Sequence, residues 1–113
     1  MILAQSDLEW IVERVTTFFD ATTIYLFGSH AKGMSQPGSD IDLLIVGPSR
    51  VPQSRRGREV AAALAAFPAH FDLLFYTEAE LADARSDPLS FIATILAKAR
   101  VLYQRPEPSR AGQ

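Results

Sequence analysis

Leu26-Phe27-Gly28-Ser29-His30-Ala31-Lys32-Gly33 and, after a short spacer, Ser39-Asp40-Ile41-Asp42-Leu43-Leu44-Ile45 form the stretch on which the fold turns. Thr22 to Phe27 is rich in β-branched and aromatic residues and predicts a strand, which Gly28 stops. Gly28-Ser29 then allows a tight turn that brings backbone N–H groups close to a bound phosphate. Alone this signal is weak, because many strand-to-helix turns use Gly-Ser. Asp40 to Val46 reads as a second strand that Gly47-Pro48 ends. Asp40 and Asp42 alternate there with Ile41 and Leu43, so both carboxylates leave the same face. Phe71 to Tyr76 reads as a third strand, with Asp72 set inside an apolar run.

Carboxylates gathered against a sheet repel in a poorly solvated site, and a divalent cation relieves the repulsion. Magnesium suits the position, since it takes carboxylates together with phosphate oxygens and waters. Three acids on adjacent strands can hold two metals about 3.5–4 Å apart, the arrangement of phosphoryl-transfer chemistry. The plainer alternative makes Asp40 a turn cap, Asp42 an edge residue and Asp72 the partner of an arginine. It must explain separately why a Gly-Ser turn, a spacer, two same-face aspartates and a third strand aspartate follow in that order. Other phosphate motifs fail. Gly28, Gly33 and Ser35 have P-loop spacing, but Met34 stands where that loop needs lysine. There is no dinucleotide glycine pattern and no Gly-x-Ser-x-Gly elbow.

Outward from this centre, Ser6-Asp7-Leu8-Glu9 has capping-box form and predicts a helix from about Asp7 to Asp20. His30 to Gly38 is expected to hold a helical turn and a loop, and Gly47 to Arg58 a surface loop. Arg50, Arg55, Arg56 and Arg58 make that loop basic, which reads as a solvated face or else as an edge that meets phosphates or an acidic partner. The alanine-rich segment Arg58 to Phe67 predicts a helix closed by Pro68. A helix capped by Thr77 runs to about Ala84, and Asp87-Pro88 opens another carrying Phe91, Ile92, Ile95 and Leu96 on one face. A short strand from about Arg100 to Tyr103 follows. This order implies a small α/β (α+β) domain over residues 1–104, with a loose tail at 105–113.

With 113 residues and a 48% apolar fraction, the chain has room for one modest core, and a separate substrate domain is not expected. A net charge of -2 supplies no broad field for polyanions, so nucleic acid is not favoured as a partner. The absence of cysteine removes thiolate zinc sites and thiol nucleophiles. No apolar run is long enough to span a bilayer and no secretory signal opens the chain, so a cytoplasmic location is expected.

The glycine turn, the Asp40/Asp42 strand and Phe71-Asp72-Leu73-Leu74 together resemble the signature of the minimal nucleotidyltransferases of the DNA polymerase beta-like superfamily. The likeness spans most of the chain, including Val101-Leu102-Tyr103. It implies a mixed sheet flanked by helices, magnesium held by the catalytic acids Asp40, Asp42 and Asp72, and nucleotide contacts at Gly28, Ser29, Lys32 and Ser39. It also implies AMP transfer from ATP to a hydroxyl of a protein or small molecule, with a helical HEPN-type toxin as partner. The alternative is a non-catalytic antitoxin-like module that only occludes such a partner. This chain departs from the family by carrying His30 and Lys32 where arginines are common; lysine keeps the charge and loses the bidentate fork. His30 is expected to be neutral, facing solvent or near substrate, and His70 to be structural.

Overall fold

The computed structural model describes residues 3–28, 30–31 and 40–106. Its elements run α1 (Gln5–Phe18), β1 (Thr23–Phe27), β2 (Ile41–Val46), a 3-10 turn (Gln53–Arg55), α2 (Arg58–Leu64), β3 (Phe71–Tyr76), α3 (Glu78–Arg85), α4 (Phe91–Leu96) and β4 (Arg100–Gln104). The strands form one mixed sheet in the order β3-β2-β1-β4. β1 is antiparallel to β2 and to β4, whereas β2 and β3 are parallel. The expected mixed α/β sheet flanked by helices is therefore present.

Side-chain alternation divides the sheet into two faces. Ile24 and Leu26 of β1, Ile41, Leu43 and Ile45 of β2, and Phe75 of β3 join Leu8, Ile11 and Val15 of α1 and Val60 and Leu64 of α2 in the larger core. Burial of each of these apolar side chains contributes about 1.5–3 kcal/mol. On the opposite face Leu44 and Val46 pack with Leu81 of α3 and Ile92 of α4, flanked by Tyr25, Phe27, Leu74 and Tyr76. The result is three layers. The second face changes character along the strands: α3 and α4 cover its apolar part, and the residues preceding Leu44 and Leu74 on that face are Asp42 and Asp72.

Helix ends differ from the sequence expectations for local reasons. α1 starts earlier than predicted because Asp7 accepts a hydrogen bond from the Ala4 N–H at 2.8 Å, which caps the helix at Ala4 rather than Ser6. α2 stops at Leu64 rather than Phe67, and Phe67 instead packs its ring between Trp10 and Phe71 at 5.6 and 5.7 Å. Thr77 caps α3 as expected, its Oγ1 accepting from the Glu80 N–H at 3.1 Å. α4 begins at Phe91, capped by Ser90; Asp87 makes a turn before it by accepting from the Leu89 N–H at 2.9 Å. Beyond β4, Arg105 donates its main-chain N–H to the Thr22 carbonyl at 2.8 Å and its side chain pairs with Asp20. No helix among the described residues is long and apolar enough to cross a membrane.

Candidate functional site

The parallel pairing of β2 and β3 sets Asp42 directly opposite Asp72. Register partners in a parallel pair share a face, and adjacent strands lie about 4.8 Å apart, so the two carboxylates form a rung across the sheet. The antiparallel pairing of β1 sets Phe27 opposite Asp42, which delivers Gly28 to the same rung. Gly28 has φ +74°, and a Cβ placed there would overlap a carboxylate oxygen of Asp42. Glycine is required twice at this point, for the left-handed backbone and for the space occupied by the acid. Asp40 lies one residue before β2, on the side of the strand shared with Asp42.

Burial pushes the Asp42 carboxyl above its ordinary pKa, and the neighbouring Asp72 and Asp40 carboxylates push it further. His30 and His70 act in the opposite direction without cancelling the rise. Like charges therefore meet at Asp42, while Asp40 and Asp72 are open to solvent. Among the described residues no group of three or more His, Asp or Glu side chains is gathered as a ready metal cage. A cation completed by phosphate oxygens and water suits such a partial donor set, and magnesium binds in that manner.

Of the nucleotide-contact residues expected from sequence, Gly28 lies at the rung, and Ser29, Lys32 and Ser39 lie outside the described residues, as does most of the helical turn expected over His30 to Gly38. His30 is half-buried and close enough to favour the charged form of Asp42. His70, expected to be structural, stands at the site, its Nδ1 3.2 Å from Asp40 Oδ1. Its position follows from the β2/β3 register, which its own neighbours in sequence do not reveal. The basic run lies elsewhere. Arg56 is 6% exposed and donates to both carboxylate oxygens of Glu80 and to the carbonyls of Val51 and Phe75. It is a structural anchor at the far end of β3, while Arg50, Arg55 and Arg58 face solvent. A groove of about 360 Å³ between α1 and β4, lined by Leu8, Val12 and Val101 among others, lies at the opposite edge of the sheet from β3.

Known proteins resemble the chain in sequence family and in fold. The family model for the nucleotidyltransferase domain matches residues 8–102. No curated protein sequence matches. Among solved structures, a toxin–antitoxin complex crystallised with AMP-PNP aligns with TM-score 0.66 and 19% identity, covering 89% of this chain and 76% of that one. A Sulfolobus solfataricus protein assigned as a nucleotidyltransferase aligns with TM-score 0.59 and 24% identity, covering 88% and 82%. A complex of tri-AMPylated Shewanella oneidensis HEPN toxin with MNT antitoxin aligns with TM-score 0.58 and 16% identity, covering 90% and 74%.

Proposed function

We propose, from the premise that this chain belongs to the nucleotidyltransferase domain family, that it moves AMP from ATP onto a hydroxyl of a protein or small molecule. The observation that carries the reading is the Asp42–Asp72 rung under Gly28, with Asp40 beside it. In this reaction the acceptor oxygen attacks the α-phosphorus, the bond from that phosphorus to the bridging oxygen breaks, and pyrophosphate leaves. Asp40, Asp42 and Asp72 would hold magnesium, which would neutralise the phosphates and favour ionisation of the attacking hydroxyl.

Asp40 and Asp42 supply the metal-binding edge nearest the glycine turn. Gly28, with no side chain, leaves backbone N–H groups free to approach a phosphate, and Ser29, Lys32 and Ser39 are assigned to the same nucleotide. Asp72, arriving on a different strand, faces the acceptor, shares in metal binding and takes the hydroxyl proton. Partial covering of the face supports these roles: α3 and α4 shield the apolar part and leave the acids open for a ligand.

The partner we assign is a helical HEPN-type toxin in the cytoplasm, supported by the presence of toxin–antitoxin complexes among the structural neighbours. A domain this small has little surface with which to position an acceptor, so a docked partner would supply that orientation. The same neighbours also favour a second reading, in which the chain silences its partner by occlusion alone.

Incubation with magnesium and each α-labelled nucleoside triphosphate, with and without a HEPN-type protein encoded beside it, separates the two. Label passing from ATP to the partner, and lost in Asp42→Asn, supports transfer. Stable complex formation without label supports occlusion.

A further inference from the structure

We propose that His70 is a positioning residue for the carboxylate of Asp40, an inference that rests on the reading of Asp40 as part of the magnesium and nucleotide site. The pairing of Ile41 with Phe71 continues one step back, where the Ile41 N–H donates to the His70 carbonyl at 2.9 Å. Asp40 and His70 thereby become a second rung next to the Asp42–Asp72 rung, with His70 Nδ1 3.2 Å from Asp40 Oδ1.

That polar contact reaches one carboxylate oxygen and leaves the second outside it. The Asp40 side chain is 50% exposed, so without a partner it would sample several rotamers. A polar contact of this kind lowers the entropy lost when a ligand fixes the carboxylate, which is how outer partners strengthen metal sites. Packing offers no competing explanation, because the His70 side chain is 74% exposed.

The test is calorimetric titration of a non-hydrolysable ATP analogue at several magnesium concentrations and one fixed pH. It compares wild type, His70→Ala, His70→Asn and Asp42→Asn. Asparagine is the conservative variant, because its amide nitrogen can take the place of Nδ1. His70→Ala is expected to raise the magnesium needed for half-maximal nucleotide binding by roughly tenfold, the lower end for an outer partner. His70→Asn is expected to recover most of that loss, with melting temperatures unchanged in both. An unchanged magnesium requirement in His70→Ala, while Asp42→Asn still loses its magnesium dependence, overturns the role of His70 and leaves the site reading standing. Failure of His70→Asn to rescue, or weak binding that follows a lowered melting temperature, also overturns the role. Wild-type nucleotide binding that ignores magnesium overturns the site reading and this inference together.

Discussion

Two charged clusters occupy opposite ends of β3, and they are built on opposite terms. At the Phe75 end, Arg56 is enclosed by Glu80 and by the carbonyls of Val51 and Phe75, and every contact joins opposite charge or donor to acceptor. The Arg56 guanidinium holds the Glu80 carboxyl down at about 2, against an ordinary 4.5. At the Phe71 end, Asp42 meets Asp72 and Asp40, and its carboxyl is pushed up. Each cluster has its own positive-φ glycine: Gly57, at +84°, makes room for the Phe75 ring, and Gly28, at +74°, makes room for the Asp42 carboxylate. One end is complete without a ligand and supports the fold. The other gathers like charge around a partly buried carboxyl, and in the function proposed above a cation and a phosphate would balance it.

Substitution at Asp72 should separate the ends most widely. Asp72→Asn is expected to slow transfer at least about a thousandfold, several kcal/mol of transition-state stabilisation, if Asp72 shares in metal binding and takes the hydroxyl proton as proposed. ATP affinity should remain within a few-fold of wild type. Parallel measurement of label transfer and calorimetric ATP binding checks this, and joint loss of both would put Asp72 in the nucleotide site.

At the other end, Arg56→Ala is expected to destabilise by roughly 2 kcal/mol, or about 10 °C in Tm for a domain of this size. That is less than a fully buried pair would cost, because the Glu80 side chain is 38% exposed. Chemical denaturation measures the loss. Nucleotide affinity of the folded variant should not change, and if it did, the two clusters would not be independent.

The glycines give a smaller and sharper contrast. A left-handed alanine costs about 1–2 kcal/mol at either position before any overlap is relieved. Gly57→Ala should pay further by displacing the Phe75 ring, which packs edge-on against Phe19 at 5.2 Å. Gly28→Ala should instead displace the Asp42 carboxylate and weaken magnesium-dependent ATP binding by about tenfold or more. Thermal melts and ATP titrations on both variants check the exchange of effects.

The smallest effect concerns pH. A carboxyl with a depressed pKa contributes stability that is present above its ordinary value of 4.5 and is lost as pH falls toward about 2. Wild-type Tm should therefore fall across that window more steeply than the Tm of Glu80→Gln. Equal slopes would mean that the Arg56–Glu80 pair does not support the fold.

The two ends also differed in how plainly the sequence displayed them. Asp40 and Asp42 are read together because their spacing is local and strand alternation gives them one side. β3 is read to the residue, since Phe71 to Tyr76 is bounded on both sides. The partnership of Asp42 with Asp72, and of Asp40 with His70, depends on a parallel register between strands far apart in the chain, and local pattern carries no such register. Arg56 was hidden for another reason: among Arg50, Arg55 and Arg58 it resembles its solvated neighbours, and only the packing of the loop against β3 and α3 distinguishes it. α2 ends at Leu64, before the Phe67 that its alanine-rich sequence predicts, because Phe67 packs against Trp10 and Phe71, a tertiary preference that overrides propensity.

The most direct test of the central claim is the Asp42→Asn variant, measured for Tm without ligand and for ATP affinity with and without magnesium. Removing one of several repelling carboxylates should leave Tm unchanged or raise it, while the magnesium dependence of ATP binding disappears. A clearly lowered Tm with magnesium-dependent ATP binding intact would make Asp42 a structural acceptor and contradict the account.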